Sequence, residues 1–300
     1  MAPYILRKGR SSLLDLKDGY LGLGDYAIGA HKVYFVDSNS GANGDGSSFD
    51  SPFNTLAQAL ALSHADIASG SAGWAARNVI YYKGDGNTEL LTKLADKTTV
   101  VGVGSTDGNG SARIKGVQTI AGTYNGTRFV NMEFIAASDT VIGMTLPTEC
   151  GGIEFYGCTW LPGGASNTIA LRATAVTALK VIGCEFNGWW NVGWDTTCID
   201  IPTGAVHGVI IQGNRFNNQV GSALITAASS TSDGCFFQDN TCVTSAIAID
   251  DVSDNLYVIN NTFVVGTTNA DNTGTNFNIL KAARNVVTGS NGTIDTPNMG

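Results

Sequence analysis

The chain has 300 residues, enough for one or two domains of ordinary size with a sizeable core. Only 14% of them are charged, against about 25% in an average soluble protein, and the net charge is −8. An acidic chain with no basic run lacks the face that nucleic acid or an anionic membrane surface requires, so neither is an expected partner.

The start, MAPYILRKGRSSLLDL, has no apolar core of the length a secretory signal needs, and no apolar run is long enough to span a bilayer. The expected folding compartment is therefore the cytoplasm of the producing cell, where the six cysteines (150, 158, 184, 198, 235, 242) stay reduced. Residues 1–32 form the first unit. The stretch SSLLDLKDGYLGLGDYAIGA within it is too apolar for a plain linker. Two readings stay open: an arm packed on the chain's own solenoid, or an anchor inserted into another subunit.

The second unit, 33–300, opens with VYFVDSNSGANGDGSSFDSPFNTLAQAL (33–60), which reads as a strand, a Gly/Asn/Asp loop and a helix over about 52–68. Ser51 suits the N-cap and Pro52 the first helical position. Phe53, Leu56, Ala57 and Leu60 make one apolar face. A helix placed there closes the end of a stack of repeats, which would otherwise expose apolar rungs and strand edges. The loop GANGDG (41–46) with Asp37 has oxygen ligands for a cation, but its composition is also that of a plain turn.

Six segments then align without gaps: TRFVNMEF (127–134), IEFYGCTW (153–160), LKVIGCEF (179–186), VIIQGNRF (209–216), CFFQDNTC (235–242) and LYVINNTF (256–263). Their spacing of twenty-odd residues suits one coil of a β-solenoid. The columns at 127 and 129, two residues apart, are almost wholly apolar and mark the inward face of a strand. After a kink with Gly or Asn comes the column Met132, Cys158, Cys184, Asn214, Asn240, Asn261, then Phe134, Trp160, Phe186, Phe216, Cys242, Phe263. A second strand follows each kink, as in CIDIP (198–202), ALITA (223–227) and AIAID (246–250). Buried asparagines stacked at the ~4.8 Å strand spacing are expected to donate to one another as a ladder. The outward columns beside them pair charges on neighbouring coils, Arg128–Glu154–Lys180 and Glu185–Arg215, with Glu133 at the head of the second.

These coils, with the opener residues Val36, Asp37, Ser51, Pro52, Phe53, Thr55 and Leu56, resemble the right-handed parallel β-helix proteins of the pectate-lyase-like superfamily, including many phage tailspikes and other virion proteins. The resemblance covers roughly 33–290. It implies an all-β fold, a single right-handed parallel β-helix with a capping helix. It also implies a structural protein of the exterior of a bacteriophage particle: a tailspike-like, fibre or head-decoration subunit, assembled in the host cytoplasm. A homotrimer is the expected assembly, with residues 1–32 reaching other virion proteins and host surface polysaccharide as a further partner. The alternative from the same superfamily is a polysaccharide lyase or glycoside hydrolase.

The enzyme reading has thin support in the residues. His207, Asp233 and Asp254 stand two residues before consecutive strands, where stacking would set two carboxylates roughly 5 Å apart, near a retaining glycosidase pair. Aspartate is also a favoured turn residue. The loop NGWWNVGWD (187–195) offers Trp189, Trp190 and Trp194 to sugar faces and Asp195 to sugar hydroxyls, or else folds back over apolar side chains. No Cys/His spacing suggests a metal site, and no cofactor is implied.

Overall fold

The computed structural model describes residues 30–68, 76–104, 112–137, 142–148, 150–164, 167–187, 193–202, 207–218, 221–226, 231–244, 249–251, 254–264, 270–272 and 286–288. The strands stack in parallel, each pairing with the corresponding strand of the coil before and after it. The chain is a parallel β-helix.

Each complete coil carries three strands rather than the two expected. The first sheet runs from Val33–Asp37 through Arg128–Val130, Glu154–Tyr156, Lys180–Ile182 and Ile210–Gln212 to Asp254–Ile259. The second runs from the far half of Asn78–Thr88 through Ala112–Lys115, Glu133–Ile135, Thr159–Leu161 and Glu185–Asn187 to Val286–Thr288. The third collects Gln118–Thr119, Ile142–Leu146, Asn167–Ala173, Trp194–Ile201, Ser222–Thr226, Ile249–Asp251 and Ala270–Asn272. CIDIP and ALITA belong to this third sheet, while the strand that directly follows each kink belongs to the second. The expected registers hold residue for residue: Arg128 pairs with Glu154, Glu154 with Lys180, Lys180 with Ile210, Ile210 with Phe236 and Phe236 with Tyr257.

The core follows from these registers. Phe134, Trp160, Phe186 and Phe216 stack face to face, with successive ring centroids 5.4, 4.6 and 4.9 Å apart. Stacked rungs in register bring like side chains together, and offset aromatic stacks add to the area they bury. The asparagine column is a continuous ladder. Asn214 Nδ2 donates to Asn240 Oδ1 (3.0 Å) and to Val181 O (2.9 Å). Asn240 Nδ2 donates to Asn261 Oδ1 (3.1 Å) and Ile211 O (3.0 Å). Each Oδ1 also accepts the backbone N–H of the coil before, so Cys184 N reaches Asn214 at 2.8 Å and Asn214 N reaches Asn240 at 2.9 Å. In the earlier coils a thiol takes this place, Cys184 Sγ accepting Cys158 N–H at 3.4 Å. All six cysteines are buried and unbridged.

The corner between the first and second sheets requires left-handed backbone. Asn131, Gly157, Gly183, Gly213, Asp239 and Asn260 occupy it with φ between 54 and 64°. Glycine, asparagine and aspartate are the residues that adopt this region at low cost. A Cβ at Gly183 meets nothing within 4 Å, so backbone conformation alone decides a substitution there. Gly183→Ala is expected to lose about 1 kcal/mol of stability, and Gly183→Asn less, in chemical denaturation.

At the N-terminal end the helix spans Leu56–Ala68, four residues later than the sequence suggests. Thr55, not Ser51, is its N-cap, accepting Gln58 N–H at 3.3 Å, and Glu89 Oε1 accepts Ala57 N–H at 2.7 Å. Burial raises the Glu89 carboxyl pKa, and the helix N–H groups it caps oppose that rise. Pro52 and Phe53 instead lie along the outermost strand. Phe53 forms a parallel bridge with Val36, donates to Phe35 O and accepts from Asp37 N–H. The segment that suits a first helical turn in isolation is drawn to the sheet because the outer strand's hydrogen-bonding groups need partners. The helix buries Leu56, Ala59, Leu60 and Ser63 on the end of the core. A polar network of Ser63, Thr98 and Asn78 fixes it there, with Ser63 Oγ 2.6 Å from Thr98 Oγ1.

Candidate functional site

His207 forms a parallel bridge with Thr177 and continues a corner column of Asn125, Gly151 and Thr177. Its carbonyl accepts Ala178 N–H at 2.7 Å. Asp233 lies on strand Thr231–Gln238 and Asp254 on Asp254–Ile259; the backbone ladder pairs Asp254 with Thr231, ahead of an irregularity that ends at Cys235 and Leu256. The side chains of Asp233 and Asp254 lie outside the described residues. So do Trp189 and Trp190.

Trp194 takes the second of the two readings of its loop and drops out of the glycan-contact set. It is 0% exposed at the start of strand Trp194–Ile201, so its indole is part of the packing and not a platform for a sugar. Its ring reaches Gly143 two coils away, where a Cβ would stand 3.4 Å from the ring and 2.8 Å from Ala170 O of the coil between. Asp195, the next residue on the strand, points the other way and is exposed.

The loop 41–46 makes turns. Asp45 Oδ1 accepts Ser47 N–H at 2.9 Å and Ser47 Oγ–H at 2.6 Å; Asp37 Oδ1 accepts Asn39 N–H at 3.0 Å, and Asp37 Oδ2 is 3.2 Å from Lys83 Nζ. The bonds from Ser47 N–H and Asn39 N–H are side-chain-to-backbone turn bonds, and Asp37–Lys83 is an ion pair to the next strand. Among the described residues no three His, Cys, Asp or Glu side chains converge as metal ligands.

The outward face of the first sheet is the most organised surface. On its middle coils Glu154 accepts from Arg128 Nε at 2.6 Å and from Lys180 Nζ at 2.7 Å, and the Arg128 guanidinium stands 5.3 Å from the Tyr156 ring centre. Burial alone would raise the Glu154 carboxyl pKa; the Lys180 and Arg128 hydrogen bonds and charges outweigh it and hold the value below the ordinary carboxylate range. A carboxyl depressed on folding adds stability above its unfolded pKa, about 4.3, and that stability is lost as pH falls through the folded value. Glu154→Gln is therefore expected to flatten the acid limb of the stability–pH curve below about pH 5 and to leave the neutral-to-alkaline shape unchanged, measured by urea midpoints across pH.

Toward the C-terminal coils the first of these columns turns apolar. Ile210, Phe236 and Tyr257 continue Arg128, Glu154 and Lys180, and the next column reads Tyr156, Ile182, Gln212, Gln238 and Ile259, all half-buried. The Phe236 and Tyr257 rings stack at 4.9 Å. On the second sheet Glu185 and Arg215 form the expected exposed pair at 3.6 Å, worth at most about 1 kcal/mol. Glu133, expected outward beside them, is instead fully buried in an ion pair with Arg113 of the preceding coil. A further pair, Arg172 Nε to Asp200 Oδ2 at 2.7 Å, crosses the third sheet. Sequence reasoning missed both, because 112–115 and 167–173 lie outside the gapless repeat. The alternation of ARIK was the one signal for the first.

No protein-family model matches the sequence, and no curated protein matches it. Among solved structures the chain is similar to the crystal structure of pectate lyase Pel9A, with 13% identity and a TM-score of 0.46 over 89% of this chain and 78% of that one. It is also similar to ORF18 of Geobacillus virus E2, with 15% identity and a TM-score of 0.33 over 86% of this chain and 55% of that protein. The fold itself, three parallel sheets wound as a β-helix, rests on the strand registers of this chain.

Proposed function

We propose that the chain is a structural subunit of the exterior of a bacteriophage particle, of the tailspike, fibre or head-decoration kind, working as a homotrimer through the outward face of its first sheet. The observation that carries an intersubunit face is the run Ile210, Phe236 and Tyr257, with Ile259 beside Tyr257 and Tyr156 and Ile182 on the coils before it, although Gln212 and Gln238 interrupt the second column. Outward strand positions that meet water are ordinarily polar, and a contiguous apolar patch on a soluble protein marks an interface. Closed rotational symmetry buries such a patch without runaway association. The placement on a phage particle and the three-fold symmetry come from the resemblance of the coils and opener to virion β-helix proteins. Six buried, unbridged cysteines accord with assembly in a reducing cytoplasm.

Light scattering on the purified protein is expected to give three times the 31.2 kDa of one chain, and Phe236→Asp is expected to dissociate it. A wild-type monomer at micromolar concentration would refute the trimer. Electron microscopy of particles with the chain labelled tests its exterior position. Turnover of a host surface polysaccharide that stops in Asp233→Asn or Asp254→Asn would favour the lyase or hydrolase instead.

A further inference from the structure

The charges on the outward face of the first sheet do not balance. Arg128, Glu154 and Lys180 stand on successive coils. Both oxygens of Glu154 are taken, Oε2 by Arg128 Nε at 2.6 Å and Oε1 by Lys180 Nζ at 2.7 Å. Arg77, immediately before the strand Asn78–Thr88, adds a third cation to this face. It is half-buried and reaches across the next coil, donating to Thr99 Oγ1 at 3.4 Å and to Gly126 O at 2.8 Å. Thr99 pairs with Arg128 in the ladder, so the two guanidinium groups flank it. Both acceptors of Arg77 are neutral, and among the described residues no carboxylate pairs with it. Burial, and then repulsion from Arg128, lower the Arg77 pKa, and Glu154 opposes them; an arginine stays charged all the same. The face therefore carries three cations to one carboxylate, in a chain whose net charge is −8.

What this surplus does rests on the homotrimer proposed above. The column Arg128, Glu154, Lys180 runs on into Ile210, Phe236 and Tyr257, so the charged coils share the face that meets other copies. Rotational symmetry sets the same residues of every copy around one axis. Each copy brings the same surplus and cannot neutralise its neighbours. A cation taken out of water without a counter-charge costs several kcal/mol, and like charges set face to face add to that. Guanidinium groups present paired N–H donors that match a phosphate-like oxyanion, and an ammonium serves the same anion as a point charge. We propose that Arg77, Arg128 and Lys180 bind a tetrahedral oxyanion of the phosphate class, at a site completed by the same residues of the other copies. The anion supplies the negative charge that symmetry denies, and assembly is coupled to its binding.

The test uses the full chain. Light scattering over a dilution series is run in chloride alone and with a few millimolar inorganic phosphate, at matched ionic strength so that screening is equal. Phosphate is expected to lower the protein concentration of half-dissociation about tenfold, as a ligand of the assembled form does. Arg77→Met is expected to act in two ways. Its trimer is tighter than the wild type in chloride, because less charge is in surplus, and phosphate no longer tightens it. The first sign is opposite to that of a variant damaged in its fold. Lys180→Gln, on the other side of Glu154, is expected to show the same two signs. A wild-type trimer that phosphate does not tighten overturns the inference and leaves the trimer standing. Tightening that persists in Arg77→Met marks a general salt effect on apolar surface and also overturns it. If both variants weaken the trimer in chloride, the charge is not in surplus and the inference fails. A wild-type monomer in both buffers removes the trimer, and the anion site with it.

Discussion

Asn240→Leu is expected to be among the most damaging single substitutions in the chain, lowering stability by several kcal/mol. The side chain of Asn240 does four things at once. Its Oδ1 accepts the Asn214 backbone N–H (2.9 Å) and Asn214 Nδ2 (3.0 Å), and its Nδ2 donates to Ile211 O (3.0 Å) and Asn261 Oδ1 (3.1 Å). Leucine is similar in size and more apolar, so a transfer argument alone would favour it. It leaves two donors on Asn214 without an acceptor at a site that water does not reach, at about 1–3 kcal/mol each. That cost exceeds the gain from one apolar side chain. Asn240→Cys is expected to cost less, because Cys184 already serves this column with its sulfur, accepting Cys158 N–H at 3.4 Å. Urea denaturation of the three proteins gives the order. A leucine variant as stable as the wild type would mean that the ladder is not holding the rungs together.

The buried pair Arg113–Glu133 is the second large effect. Glu133 is 0% exposed on its side chain and Arg113 18%. Glu133→Ala leaves a guanidinium in a site built for a neutralised pair, and is expected to cost about 3–5 kcal/mol. Removing both charges with shape retained, Arg113→Met with Glu133→Leu, is expected to recover most of that loss, because neither group is then desolvated without a partner. A double-mutant cycle reads the coupling directly. Additive single and double losses would show that the two side chains act independently. The exposed pair Glu185–Arg215 is the control, since solvent screening leaves little for its removal to change.

How much of this was legible in the sequence depended on whether a residue's role is set by its own coil or by another part of the chain. The columns at 129, 134, 214, 240 and 261 were readable because a solenoid repeats one environment, and the repeat writes the same residue types at the same offset. Register, inward faces, the asparagine ladder and the Arg128–Glu154–Lys180 stack all followed from that. Of the candidate site, His207 is placed and the side chains of Asp233 and Asp254 are not among those described, so the sequence proposal for that column stands as a proposal.

What only the tertiary structure decided are the positions whose environment comes from a different coil or from the end of the stack. Within NGWWNVGWD the sequence leaves a sugar platform and a fold-back over apolar side chains both open for Trp194, and the structure buries it, with its ring reaching Gly143 two coils away. Glu133 looks outward by its register, yet it is fully buried and paired with Arg113 of the preceding coil. Ser51 and Pro52 have the chemistry of a helix start, but the outermost strand needs hydrogen-bond partners on its free edge. The bridge between Phe53 and Val36 therefore takes that segment into the sheet, and the helix begins only at Leu56. Local propensity and periodicity are written in neighbouring residues, whereas burial of a charge or an indole and the closing of a strand edge are set by what lies across space.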